Sequence, residues 1–415
     1  MSTNPSSLVE KTAANGRAPA WLAGFLLLGS LLGVSGSLLV AWEYHIDVQP
    51  QVIGFHFLSL SAGFVAAAAI AQRYVRRVPV RWVAMIACGV ACVSLAALTW
   101  IAPPAGTGWR IAGLAVLGMS AGALTPALLH AMEPAFSASP ASTANIAALL
   151  FGCGCLVATL ITGIAYAAES VRWATIALAA LPLFYLFLYL RSSHPPARNR
   201  AQPRQEEDAL RETLKDLRTI ATVLFSLLVF FQFGNEWALA GWLPLFLIHR
   251  LGISPVLALA GLGLYFLSLM IGRAIAQPLL ANLHHWRMLV ASIFLAITGY
   301  LCLSFAAGLG GATVAITVIG IAYGPIFPLI AEQLDDRFSY HPAFYNGMIA
   351  IAVSGAMSAP WLLGYIDAYF GIQYVMLIPA FGSVAVLILA LLLMLEARLM
   401  SAKHARQSES LIAGD

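Results

Sequence analysis

The chain has 415 residues, of which 60% are hydrophobic and only 10% are charged, and its mean hydropathy is +0.85. Soluble domains carry about 25% charged residues, so this composition excludes an ordinary water-soluble fold. The formal net charge of +4 is small and its positive residues are scattered, which excludes a nucleic-acid-binding surface.

Twelve apolar runs follow one another along the chain, and each has about the 20 residues that a helix needs to cross a bilayer. They divide into six runs within residues 19–191 and six within residues 218–397. A polar tail (1–18), a polar linker (192–217) and a second polar tail (398–415) surround them. The sequence therefore predicts an all-α membrane protein with twelve transmembrane helices in two six-helix bundles, at about 19–42, 52–71, 80–102, 109–131, 142–167, 171–191, 218–248, 255–281, 287–308, 310–333, 343–368 and 373–397.

The Lys and Arg residues fall almost entirely on one side of this arrangement. The loops of the other side hold only Arg110, Arg172 and Arg250, while Arg273 lies within a span. Because cytoplasmic loops carry the excess of basic residues, we expect both termini and the linker in the cytoplasm. We predict a multi-pass protein of the inner membrane, in contact with membrane lipids.

Several observations argue against an enzyme and against a metal site. All five cysteines lie in apolar runs, which argues against disulfides and against zinc. The chain has no HExxH, no G-x-S-x-G and no phosphate-binding glycine loop. We therefore predict no catalytic residues, no cofactor and no metal.

The two halves of the chain resemble each other weakly. The string AIAQ ends at Gln72 and again at Gln277, an offset of 205. In the fourth span of each half, Gly118, Gly122 and Pro126 match Gly320, Gly324 and Pro328. In the fifth span, Asn145, Gly154 and Gly163 match Asn346, Gly355 and Gly364. Such matches in three regions predict an internal duplication, which is typical of transporter folds.

A parallel duplication of six spans resembles the major facilitator superfamily, whose halves face each other across a central cavity. The loop between spans 2 and 3 supports this resemblance, because its QRYVRR segment, Gln72 to Arg77, is similar to the superfamily motif G-x-x-x-D-R-x-G-R-R. The arginines Arg73, Arg76 and Arg77 match, while Gln72 replaces the aspartate. The resemblance implies rocking of the two bundles about a site at mid-membrane.

The C-terminal half is most similar to the fucose:proton symporter-like sugar permeases. The similarity lies in GNEWALAGWLPLFLIHRLGISP around Glu236, in the IGR that ends at Arg273, and in SGAMSAPWLLGY from Ser354 to Tyr365. Fucose permeases place carboxylates within spans 1 and 4, where this chain has none in the membrane interior. Those proton-coupling positions are therefore not implied for this chain.

Glu236 is the sharpest candidate for a functional residue, because a charged group inside the membrane costs about 2.5–3.5 kcal/mol and is usually functional. Gln232, Asn235 and Glu236 have the i, i+3, i+4 spacing of one helical face, which predicts a polar face toward the cavity. Glu236 could bind a proton or serve as a structural carboxylate. Further candidates for substrate contact, each with packing as its alternative, are His56, Tyr323 and Trp361.

A gate at the cytoplasmic side is also predicted. Arg273 lies in the cytoplasmic half of span 8, and Glu332 and Asp335 lie at the cytoplasmic end of span 10. An ion pair of Arg273 with one of these carboxylates would close the cytoplasmic side of the cavity, and Arg73 of the loop between spans 2 and 3 is predicted to belong to the same gate. The alternative is a permanent ion pair that only stabilises the fold.

These observations together predict a secondary active transporter that moves a small polar solute by alternating access. We expect a sugar or a polyol, with proton symport and uniport both open, and a monomer. The alternative is proton-driven efflux of drugs or other amphipathic compounds, for which acidic groups buried in the N-terminal bundle would be typical.

Overall fold

The computed structural model describes residues 21–46, 49–103, 105–138, 140–191, 220–280, 285–338 and 342–412. These residues form helices and no β-strand. The helices are Gly24–Ala41, Pro50–Val75, Val80–Trp100, Thr107–Ala138, Pro140–Ala167, Val171–Arg191, Ile220–Leu251, Pro255–Leu280, His285–Ser304, Leu309–Tyr323, Ile326–Arg337, Pro342–Phe370 and Leu377–Ile412, with a short 3-10 turn at Ile372–Tyr374.

Within this described part of the chain, twelve helical segments are long and apolar enough to cross a membrane, which confirms the predicted fold class. We number them span 1 to span 12. Span 10 is made of two helices, Leu309–Tyr323 and Ile326–Arg337, which are separated at Gly324 and Pro325. Proline lacks the backbone N–H that a continuous helix needs, so the break falls at this residue.

Two of the predicted boundaries fall on residues that the structure does not describe. The predicted tail at 1–18 and the predicted linker at 192–217 both lie outside the described residues. The last helix continues to Ile412, past the predicted end of span 12 at 397. Its final stretch is rich in Ala, Leu, Arg, Lys and Glu, which favour helix even outside a membrane.

The two halves are built from equivalent helix pairs. Gly154 of span 5 packs against the backbone of Leu26 in span 1, and its counterpart Gly355 of span 11 packs against the backbone of Phe230 in span 7. Small residues permit such close approach of helices in membranes, so the matched glycines mark the same contact made twice.

We expect Gly154→Ala to destabilise the protein by about 1–3 kcal/mol, the usual cost of overpacking. A Cβ at this position would overlap the carbonyl oxygen of Leu26, and the neighbouring backbone cannot move aside as a flexible side chain could. Thermal unfolding of the purified protein measures the effect. Gly89→Ala in span 3 is the matched control, because no atom lies within 4 Å of a Cβ at that site; equal losses in both variants would contradict the packing argument.

The halves meet along spans 1, 2 and 5 of one and spans 7, 8 and 11 of the other. We call the side where span 1 begins and span 12 ends the terminal face, and the other side the opposite face. Toward the opposite face the contact is close: Gly36 touches the backbone of Ala240, and Gly54 touches that of Trp361. Toward the terminal face the halves enclose a cavity, so the cavity is shut off from the opposite face.

Candidate functional site

The cavity between the halves has a volume of about 120 Å³. Its wall is almost entirely apolar and is rich in aromatic rings, and Phe151 and Trp237 face each other from the two halves with their ring centroids 6.3 Å apart. Among the described residues that line it, the charged ones are Glu236 and Arg273. The chemistry of this cavity is therefore that of one ion pair in an apolar chamber.

Glu236 and Arg273 form this ion pair, with 3.7 Å between Oε1 of the carboxylate and Nη2 of the guanidinium. Their side chains are only 6% and 4% exposed. Arg273 also donates a hydrogen bond from Nη1 to the carbonyl oxygen of Ala148, which belongs to span 5 of the other half. One arginine thus holds a carboxylate of its own half and the backbone of the opposing half.

The face of span 7 that lines the cavity is formed by Val229, Phe233, Glu236 and Trp237. These residues have the i, i+4, i+7, i+8 spacing of one helical face. Gln232 and Asn235, which the sequence placed on one polar face with Glu236, are buried but do not line the cavity. The predicted face is therefore displaced by about one residue around the helix.

Asn235 belongs to a polar network behind the cavity, inside the C-terminal half. Its side chain packs against Gly382 of span 12, where a Cβ would overlap its amide oxygen. The hydroxyl of Tyr300 donates to the carbonyl oxygen of Asn235 at 2.8 Å. Tyr323, a predicted substrate contact, donates to the Tyr300 hydroxyl at 3.1 Å and lies 3.2 Å from the hydroxyl of Ser383. These bonds favour the packing alternative for Tyr323.

We therefore expect Tyr323→Phe to lower stability by about 1 kcal/mol, the net value of a typical hydrogen bond, and to leave the transport KM unchanged. Tyr300 and Ser383 each keep another hydrogen bond in this variant, which limits the loss. Thermal unfolding and initial transport rates measure the two quantities. Tyr374→Phe at an exposed tyrosine is the control, and a raised KM at unchanged stability would instead assign Tyr323 to the substrate.

His56 lies in a second cluster, in the N-terminal half near the opposite face. Its Nδ1 donates to the carbonyl oxygen of Val52 at 2.8 Å, so Nε2 accepts from the hydroxyl of Tyr44 at 2.9 Å in the neutral ring. The guanidinium of Arg110 lies 5.0 Å from the ring centre of Tyr44 and 5.9 Å from that of Trp42. His56 does not line the cavity, and its bonds are those of a packed histidine.

Trp361 also lies away from the cavity. It packs edge to face on Tyr365, with ring centroids 5.3 Å apart, and its backbone contacts Gly54 of span 2. Its position at the closed contact between spans 2 and 11 indicates a role in the seal toward the opposite face. Substrate contact by Trp361, like that by His56, stays a prediction.

The predicted gate residues do not come together as a group. Arg273 pairs with Glu236, while Glu332 lies 3.2 Å from Nδ1 of His285 at the terminal face. Arg73 is exposed and lines a separate pocket together with Arg76 and Arg77. The side chain of Asp335 lies outside the described residues. The expected pair of Arg273 with Glu332 is replaced because the buried carboxylate of Glu236 is the nearer partner.

A third pocket lies at the opposite face, where the halves are in contact. It is lined by groups from both halves, among them His45, His249 and Asp367. Burial, aided by the charge of nearby His249, lowers the pKa of His45, while the charge of Glu43 raises it. His45 is therefore more readily left neutral here than in water.

The residues that sequence reasoning missed are the apolar and aromatic ones of the cavity wall. Phe233 and Trp237 flank Glu236 on the helix, and Phe151 approaches from the other half. Their only sequence signal is the i+4 spacing of Phe233 and Trp237 around the buried carboxylate. That pattern does not stand out in a span where nearly every residue is apolar.

Comparison with solved structures shows the same architecture elsewhere. The major facilitator superfamily transporter FucP in the outward conformation is 16% identical, with a TM-score of 0.65 over 91% of this chain and 98% of that one. A point variant of the E. coli fucose:proton symporter gives 17% and 0.64 over the same shares. A D-xylose-proton symporter is 14% identical, with a TM-score of 0.72 over 90% of this chain and 96% of that one. At such identities the likeness shows the fold alone.

Among curated proteins no sequence matches this chain. The sequence profile described as Major Facilitator Superfamily matches residues 20–359, which is most of the chain. This match agrees with the twelve spans, the duplicated halves and the central cavity. The chain belongs to the major facilitator superfamily and is a multi-pass membrane transporter of that fold.

Proposed function

We propose that this transporter is proton-coupled and moves a small amphipathic solute through the central cavity, with Glu236 as the proton-binding group. The observation that carries this proposal is the ion pair of Glu236 and Arg273 in an otherwise apolar cavity. Buried ionisable groups in membrane proteins mark proton and substrate pathways. A carboxylate that can be neutralised by a proton is the simplest coupling group that such a pair offers.

The pair also connects proton binding to the movement of the two halves. Arg273 reaches from the C-terminal half to the carbonyl oxygen of Ala148 in the N-terminal half. Protonation of Glu236 removes the charge that holds the guanidinium in place. Because a buried charge without its partner costs about 3–5 kcal/mol, the protonated state favours a rearrangement in which Arg273 finds another partner or reaches water.

The apolar wall supports an amphipathic solute more than a sugar. A sugar or polyol presents hydroxyls all around its body, and burying each without a hydrogen bond costs free energy. The cavity wall is formed mainly by Phe, Leu, Ile, Met and Ala side chains. An amphipathic body with a single polar end fits such a wall, and this solute class is the one named in the efflux alternative.

The sugar or polyol predicted from sequence remains the second candidate. It is supported by the likeness of the fold to solved structures described as fucose and D-xylose symporters. For such a substrate, the imidazole of His56, the hydroxyl of Tyr323 and the indole N–H of Trp361 would have to reach the cavity in another conformation, because none of these residues lines it here. The fold likeness by itself does not distinguish the two solute classes.

We also propose that the terminal face is cytoplasmic and that the protein lies in the inner membrane as a monomer in contact with lipid. The basic residues of the loop between spans 2 and 3, Arg73, Arg76 and Arg77, are at this face. The excess of Lys and Arg in cytoplasmic loops supports the orientation. With this orientation, the cavity lies on the cytoplasmic side of the closed contact.

Uptake by proteoliposomes tests the proposal. The purified full chain is reconstituted and offered sugars, polyols and amphipathic acids and bases, with and without a pH gradient, beside protein-free vesicles that report passive entry. We expect accumulation of an amphipathic solute above the protein-free level only with the gradient. Gradient-driven accumulation confined to sugars would favour the second candidate, and gradient-independent transport of every solute would contradict proton coupling.

A further inference from the structure

The guanidinium of Arg273 has hydrogen-bonding capacity that the protein does not use. Its five N–H groups can all donate, yet one bond to Ala148 accounts for the hydrogen bonding of its Nη1 atom. Its Nη2 atom is 3.7 Å from the Glu236 carboxylate, which is beyond hydrogen-bond distance. Its buried Nε atom has no partner. A buried arginine that is 3% exposed and incompletely bonded is prepared for one more acceptor.

The charge balance of the cavity indicates the sign of that acceptor. With Glu236 ionised, the pair is neutral overall. Once Glu236 takes up a proton, the charged groups that line the cavity within the described residues amount to a single positive guanidinium. An uncompensated cation in an apolar wall is unfavourable. A singly charged anion would restore neutrality and would supply two oxygens to the planar donor fork of arginine.

We propose, on the basis of the proposed function, that the solute is a small organic monoanion with an apolar body, bound by Arg273 and carried with one proton on Glu236. Its carboxylate or sulfonate replaces the Glu236 carboxylate at the guanidinium. Its body packs on the aromatic side chains Phe233, Trp237 and Phe151. A neutral amphiphile would leave the guanidinium unpaired, and a cation would repel it.

One consequence concerns charge movement. Each cycle carries one negative solute and one proton, so the loaded protein has the same net charge as the empty one. Transport of the anion is therefore electroneutral. Its rate and its accumulation follow the pH gradient and do not respond to the membrane potential.

Binding of matched probes to the full chain in lipid nanodiscs tests the inference. The probes are phenylacetate, phenylacetamide and phenethylamine, which share an aromatic body and differ in charge, together with hexanoate and benzylsulfonate as other anions. Calorimetry in two buffers of different protonation enthalpy measures the protons taken up on binding, and empty nanodiscs report partitioning into lipid. We expect about one proton per bound anion, and binding at least about tenfold weaker for the amide and the amine.

Variants then locate the anion. Arg273→Gln is expected to weaken phenylacetate binding by about 10- to 100-fold, the value of charged hydrogen bonds. Glu236→Gln is expected to keep binding and to abolish the linked proton uptake. Arg110→Lys and Glu396→Gln, which change a buried arginine and a glutamate away from the cavity, are the controls and should retain both. The probe comparison on the unaltered chain needs no variant and decides the question if a variant fails to fold.

Several results would overturn the inference. Equal binding of phenylacetate and phenylacetamide, with proton uptake in both cases, would show that the solute need not be an anion. Proton coupling would still hold in that case. Absence of binding by all three anions would also count against it. The proposed function fails by a different result, which is gradient-independent transport in the proteoliposome screen, so the two failures are distinguishable.

Discussion

We expect Glu236→Gln to abolish pH-gradient-driven accumulation of solute in proteoliposomes, so that the ratio of inside to outside concentration falls to one, while exchange of solute across the membrane partly survives. The amide has nearly the shape of the carboxylic acid but cannot take up and release a proton. The cavity with Arg273 remains, so the solute can still bind and cross. Accumulation and exchange of labelled solute, measured in the same vesicles, separate the two activities.

Glu396→Gln provides the control for this variant, because Glu396 pairs with Arg337 at the terminal face and does not line the cavity. It should accumulate solute as the unaltered protein does. If Glu236→Gln accumulated solute normally, Glu236 would have no part in coupling. Its pairing with Arg273 would then be structural, and the proton would have to bind elsewhere.

We expect Arg273→Gln to destabilise the protein by about 3–5 kcal/mol, the cost of leaving a buried charge without its partner. The variant leaves the carboxylate of Glu236, 5% exposed as a residue, facing an apolar wall. The double variant Glu236→Gln with Arg273→Gln is expected to recover most of this loss, because two neutral amides replace the ion pair. Thermal unfolding of the four proteins, measured above the pKa of a free carboxylate, gives the coupling between the positions.

The pH dependence provides an independent check on this second prediction. Below the pH at which Glu236 is protonated, the single variant no longer holds an unpaired buried charge, so its deficit should shrink. The double variant should show no such trend. If the stability losses of the two single variants simply added in the double variant, the ion pair would not be the source of the effect. Arg110→Lys is the control for a change at another buried arginine.

Much of the architecture could be predicted from sequence because lipid imposes a strong rule on the chain. Every backbone group in the membrane must be satisfied within a helix, so long apolar runs indicate spans directly. The duplication could be read from glycines because close helix contact requires them at fixed positions, as at Gly154 and Gly355. The break of span 10 falls at Gly324 and Pro325, two residue types that commonly interrupt helices.

The site was harder to predict, since its geometry depends on how helices are rotated and paired. Glu236 could be found because a lone carboxylate in an apolar span is conspicuous. Its pairing with Arg273 could not be predicted, because the distance between spans 7 and 8 depends on tertiary packing that no local sequence pattern indicates. Asn235 is a candidate for its polar side chain and Tyr323 for its aromatic ring and polar edge, but both take part in hydrogen bonding inside the C-terminal half. Polarity alone does not tell a lining residue from a buried, internally bonded one.

The interruption of span 10 has a mechanical consequence for the ion pair. Gly324 lies directly against the backbone of Gly272 and Arg273. Below the interruption, Phe327 and Ile330 form part of the chamber wall. The second helix of span 10, Ile326–Arg337, thus begins just after a glycine that contacts the backbone of Arg273. We therefore expect a bulky solute that displaces this segment to disturb the backbone of Arg273 as well, because the two are in direct contact at Gly324.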